Sequence, residues 1–228
     1  MSFEIKNTNE AHRDGIKILI YGASGIGKTT QFGSLSGKTL ILSAESGLLV
    51  LKDKDIDVID IESIEALANV YTALKSKELE YDNVCIDSLS EIGDILINEL
   101  EADDYYGDSS NSFVKWGEYT KRMIKIVKMF RDLKGFNVLF SALSEPVEAN
   151  GSIKYYPMIP AKKAQSKLVS LFDEVYYYSM DKDDNRILNT SRTNMFEAKS
   201  RSGLDKAIIV SDVKHIGSVI NSINKEGK

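Results

Sequence analysis

Gly22-Ala23-Ser24-Gly25-Ile26-Gly27-Lys28-Thr29 matches the phosphate-binding pattern G-x-x-x-x-G-K-[ST] at every fixed position. The flanks fit the same reading. Ile16-Lys17-Ile18-Leu19-Ile20-Tyr21 leads in as a buried strand, and Thr29-Thr30-Gln31-Phe32 leads out as the start of a helix. Glycines allow the backbone to curl until successive N–H groups point at one phosphate, and a helix N-terminus adds partial positive charge there. In a chain of 228 residues a chance match is roughly a 1% event. The stretch implies a bound nucleoside triphosphate, held by residues 22–29 together with Thr30.

Composition bounds the rest. The chain has the length of one sizeable α/β domain, and 43% hydrophobic with 28% charged residues is ordinary for a soluble globular protein. The polar lead 1–15 stands apart from a single domain over 16–228. One cysteine, Cys85, excludes an intramolecular disulfide and reads as a buried structural thiol. His12 and His215 lack neighbours at metal-ligand spacing. A net charge of −5 argues against a surface coated with nucleic-acid contacts, although it permits a local basic patch. No apolar run is long enough to cross a bilayer and no leader pattern is present, so the expected location is the cytoplasm, without a membrane partner.

Along the chain, further strands are expected at 38–43, 58–61, 83–87 and 136–143, with helices from 63 to 75 and after 88. Residues 101–115 read as an exposed acidic loop. Trp116, Tyr119, Met123, Ile126, Val127 and Phe130 mark the core face of a helix. Residues 175–180, 187–189 and 195–199 read as paired strands, and a closing helix begins near 212. Parallel α/β followed by hairpins predicts a mostly parallel sheet flanked by helices, with a C-terminal antiparallel hairpin extension.

Lys28 is placed to reach the β- and γ-phosphates and the Thr29 hydroxyl to ligate Mg²⁺. Asp87 ends the apolar strand Val84-Cys85-Ile86, where phosphoryl-transfer enzymes place a metal-binding carboxylate; the plainer alternative is a helix N-cap. Ser88, not an acid, follows Asp87. The water-activating candidate is therefore Glu45, after the strand ending at Ser43, with a solvent-facing loop acid as the alternative.

Glu45 after the second strand, together with Ile86-Asp87-Ser88, resembles the RecA-like core of P-loop NTPases, where the corresponding glutamate activates the attacking water. Ala198-Lys199-Ser200-Arg201-Ser202-Gly203 is similar to the lysine-x-arginine-x-glycine signature of RadA- and DnaB-like members. That resemblance implies a homo-oligomer in which Lys199 and Arg201 act on a neighbour's γ-phosphate; the alternative is a solvated hairpin end. The layout from 17 to 204 resembles the phage-encoded Sak-type annealing and recombination proteins. It implies an ATPase acting on single-stranded DNA, with a phage recombination or single-strand-binding protein as a possible partner. Two features depart from the RecA pattern: residues 140–144 hold no glutamine, and no separate N-terminal polymerisation domain precedes the core.

In that fold, the segment 145–163 borders DNA. It contains Lys154, Tyr155, Tyr156, Lys162 and Lys163, and lysines interleaved with aromatics suit single strands. A hairpin turning at Asn150-Gly151, its tyrosines packing across it, explains the same residues. A small-molecule kinase and an ATP-binding switch with little turnover are the competing functions.

Overall fold

The apolar run before the glycines folds as β1 (Lys17–Gly22), buried at every position, in a computed structural model that describes residues 14–45, 47–149 and 151–226. The polar lead up to residue 13 and the turn residue Asn150 lie outside the described residues. Chain order continues α1 (Lys28–Phe32), β2 (Thr39–Ser43), β3 (Asp57–Asp60), α2 (Ile64–Lys75), β4 (Asn83–Asp87), α3 (Leu89–Ala102), α4 (Ser112–Arg131), β5 (Asn137–Ala149) and β6 (Ser152–Pro157). It closes with α5 (Lys162–Leu171), β7 (Glu174–Met180), β8 (Arg186–Asn189), β9 (Lys199–Ser200), β10 (Ala207–Ile209) and α6 (Ile216–Glu226).

The sheet runs β10-β8-β7-β1-β5-β4-β2-β3, with β6 on β5 and β9 on β7. From β7 to β3 every pairing along this path is parallel; β8, β9 and β10 attach antiparallel. Parallel strands need crossover helices, which bury both faces. Alternate side chains therefore enter two cores. Leu19, Tyr21, Leu42, Ile86 and Phe140 meet Leu67 of α2, Leu96 of α3, Met123 of α4 and Leu168 of α5. Ile18, Ile20, Ile41, Cys85 and Leu139 meet Phe32 of α1 and Ile216, Val219 and Ile220 of α6. The mostly parallel sheet flanked by helices is as the sequence predicts.

Four details differ from expectation. The expected strand at 136–143 runs on to Ala149, because its outer half pairs with β6 rather than entering a loop. Residues 162–171, for most of which no element was expected, form α5, with Ala164 and Leu168 in the core. β7 is a core strand parallel to β1, not the start of an appendage. The expected strand at 195–199 reduces to β9, and the place beside β8 is taken by β10.

Two buried polar side chains tie the framework together. The Lys17 ammonium is buried and donates to the carbonyls of Asp14 at 2.9 Å, Leu133 at 3.0 Å and Phe136 at 2.5 Å, matching its three donors to three acceptors. Gln31 donates to the Tyr178 hydroxyl at 3.2 Å and accepts from the Ile216 amide at 3.1 Å, bracing α1 against β7 and the start of α6.

Candidate nucleotide and metal site

The loop from Gly22 to Gly27 leaves β1 at its C-terminal end, where Gly22 lies beside Leu143 of β5 and Tyr178 of β7. Gly25 and Gly27 have φ of 72° and 103°, left-handed values that favour glycine. A Cβ on Gly22 would stand 2.3 Å from the Tyr178 carbonyl, so glycine there permits β7 to approach. Gly27 opens α1 without a side-chain cap, leaving the helix's first N–H groups for a phosphate.

Lys28 is 8% exposed, and its Nζ donates to the Gly22 and Ala23 carbonyls at 3.1 and 2.9 Å. Burial lowers its pKa, while Glu45 and Asp87 pull it back up. Thr29 Oγ1 donates to Asp87 Oδ2 at 2.7 Å, and the buried Ser141 hydroxyl donates to Asp87 Oδ1. Asp87 is itself 2% exposed. The strand order creates this geometry: β5 lies between β1 and β4, so Asp87 faces Thr29 across one intervening strand, and that strand supplies Ser141.

Glu45 follows β2, whose Ser43 is in register with Asp87. The Ala44 and Glu45 amides donate to the Asp87 carbonyl at 2.7 and 3.2 Å. The Ser88 hydroxyl donates to the Glu45 carboxylate and accepts from the Glu91 amide at 3.3 Å, so it also caps α3. The N-cap role considered for Asp87 thus falls to its neighbour. Glu91, on the first turn of α3, has its pKa raised by burial, by Asp94 and by Glu45.

A hydroxyl and a carboxylate within hydrogen-bonding distance are the hard oxygen donors Mg²⁺ takes, usually with water and phosphate oxygens completing the shell. Thr29 and Asp87 fit that ion, and the glycine cradle with Lys28 fits a polyphosphate. Beside the loop opens a cleft of about 760 Å³ lined by Gly27, Thr30, Tyr178, Asn185, Arg186 and His215. Arg186 Nε donates to the Ile26 carbonyl at 2.9 Å. Ser141, Ser88 and Arg186 were not placed in the site from sequence, although Ser141 lies in the glutamine-less stretch 140–144 as a side chain able to hydrogen-bond there, and Ser88 has the S-x-x-E spacing to Glu91.

The other expected residues lie elsewhere. Lys199 pairs in register with Val175 near the start of β7, whereas Tyr178, further along that strand, meets Gly22. Its Nζ donates to the Val169 and Ser170 carbonyls at the end of α5, and Arg201 pairs with Asp173 at 3.0 Å. Both cations are thus remote from their own chain's phosphate loop. Tyr155 stacks on Tyr177 at 5.6 Å, and Tyr177 on Phe196 at 4.8 Å. Lys154 pairs with Glu197 and sits 5.4 Å over the Tyr156 ring. Three members of the expected DNA set are therefore engaged by the chain's own sheet. Lys162 is exposed at the start of α5, and the Lys163 side chain lies outside the described residues.

Among the described residues no helix is long and apolar enough to cross a membrane. No curated protein matches the sequence. Among solved structures, the chain resembles a KaiC-like protein from the hyperthermophilic archaeon Pyrococcus horikoshii, at 13% identity and a TM-score of 0.50. That match spans 87% of this chain and 86% of the other, and it is a likeness of fold. A family model described as an AAA domain matches residues 14–202. With a complete phosphate loop on a RecA-like sheet, the chain belongs to the AAA domain family of P-loop nucleotide-binding proteins.

Proposed function

We propose that the chain binds ATP with Mg²⁺ and hydrolyses it to ADP and phosphate. The observation that carries this reading is the 2.7 Å contact between the Thr29 hydroxyl and the Asp87 carboxylate, with Lys28 near enough to feel the charges of Asp87 and Glu45, and Glu45 just past the adjoining strand end. Loop amides from Gly22 to Thr29 hold the β- and γ-phosphates, and Lys28 adds a fixed positive charge to them. Mg²⁺, held by Thr29 and Asp87, supplies charge neutralisation on the phosphate oxygens. Glu45 accepts a proton from water as that water's oxygen bonds to the γ-phosphorus and the bond to the bridging oxygen of ADP breaks. Ser88 aims the Glu45 carboxylate, and Ser141 aims that of Asp87. The cleft beside Thr30 receives the base and ribose.

The finer part of the proposal is the work done with that energy: action on single-stranded DNA in phage recombination, with Lys199 and Arg201 serving a neighbouring subunit. Motif order supports it, as does the β5–β6 hairpin rising beside the site. Its lysines and tyrosines would first have to leave their intrachain partners. Phosphate release from ATP, measured with and without Mg²⁺ and with and without oligo(dT), separates the two parts. Turnover lost in Lys28→Ala supports the first, and absence of turnover in the wild type overturns it. Stimulation by oligo(dT) supports the second, and indifference to it at low salt overturns it.

A further inference from the structure

α4 is strongly basic in an acidic protein. Six of its twenty residues are Lys or Arg against one Glu, while the whole chain carries −5. Lys121, Lys125 and Lys128 fall at i, i+4 and i+7, one exposed row. Glu118 is taken by Lys121 and Arg122, and Asp132 by Arg131. The Lys125 and Lys128 ammonium groups have no ion-pair or hydrogen-bond partner among the described residues. Between this row and α2 runs a groove made of two adjoining hollows, of about 270 and 360 Å³. Its floor is apolar: Ile64, Leu67 and Ala68 from α2, Met129 and Phe130 from α4.

The complement lies on the same face. The connection from α3 to α4 carries Asp103, Asp104 and Asp108 around Tyr105, which is 55% exposed, and Phe113 just beyond is 86% exposed. Arg122 lies 5.7 Å from the Tyr106 ring, so this acidic, aromatic loop adjoins the basic groove. A patch holding a feature and its complement side by side suits an isologous contact, in which a two-fold axis sets each half on the other. Exposed aromatics are also enriched at protein interfaces.

We propose that two copies of this chain pair face to face across α4. The acidic loop of each then sits on the lysine row of the other, with Tyr105 over the apolar floor between α2 and α4. The contact is independent of nucleotide chemistry, because its residues lie outside the phosphate site.

Sedimentation of the full chain at low and high salt tests this, with circular dichroism confirming the fold of each variant. A dimer at low salt that weakens as salt rises is the expected behaviour. A groove variant, K125E/K128E, and a loop variant, D104K, should each dimerise at least about tenfold more weakly. Asp103 is left intact because its carboxylate accepts from the Tyr105 and Tyr106 amides. Mixing the two variants should restore association, since each then meets opposite charge in both halves of the contact. A wild type that stays monomeric at every salt overturns the proposal. So does a dimer indifferent to either variant, or a folded mixture that fails to re-associate. Loss of oligo(dT) binding in the groove variant with self-association unchanged also overturns it, assigning the groove to nucleic acid.

Discussion

The Ser88 hydroxyl donates to the Glu45 carboxylate, joining the residue after Asp87 to the acid after β2. One serine thereby fixes the direction of the proposed base and, by accepting from the Glu91 amide, starts the helix behind it. The pair needs β2 and β4 adjacent and in register, which Ser43 opposite Asp87 provides.

Glu45→Gln is expected to keep ATP binding and lose turnover by about 10²- to 10⁴-fold, the range for removing a positioned general base. Fluorescent-nucleotide titration beside phosphate-release kinetics checks both halves. Equal turnover in variant and wild type would remove Glu45 from the chemistry.

Ser141→Ala leaves Asp87 with one donor fewer in a buried site. The acid's aim loosens while the acid remains. The Mg²⁺ concentration giving half-maximal turnover should rise about 10-fold, the scale on which partners of metal ligands act. Turnover at saturating Mg²⁺ should change much less. Asp87→Asn, removing the ligand, should fail at every Mg²⁺ concentration.

Glu91 supplies a pH dependence whose sign follows from its surroundings. Burial, Asp94 and Glu45 raise its pKa above the ordinary 4.5, so the folded chain binds this proton more tightly than the unfolded chain. Stability from this group is fully present below 4.5 and is lost as pH rises through the raised value. Glu91→Gln should therefore raise the thermal midpoint at neutral pH and leave it nearly unchanged in acid. Thermal melts from pH 4 to pH 8 read the difference.

Tyr119 is fully buried, and its hydroxyl has no hydrogen-bond partner among the described residues. Tyr119→Phe removes an unsatisfied polar atom and keeps the ring against Trp116. It should stabilise the chain by about 1 kcal/mol in urea unfolding. A loss of stability instead would show that the hydroxyl has a partner in solution.

What could be read from sequence was what short stretches encode. The loop at 22–29 needs eight consecutive residues, and Asp87 and Glu45 each need only a strand and its end. The parallel core followed from apolar runs separated by helical spacing. α5 was missed because 162–171 opens with two lysines after Pro160 and shows only a short apolar stripe. β10 is three residues long and exists because β8 offers an open edge. Arg186 reaches Ile26 across 160 positions, a contact set by how β7 docks on β1 and not by any local pattern.

Gln31 carries a last implication. α1 spans only five residues, too short to stand by its own hydrogen bonds, and one of its braces is the amide of Ile216. The phosphate loop is synthesised early, yet the helix that ends it is secured by residues made nearly two hundred positions later. Nucleotide capture is then a late event in the life of a growing chain, and trimming the protein just before Ile216 should blunt it without touching a single residue of the loop.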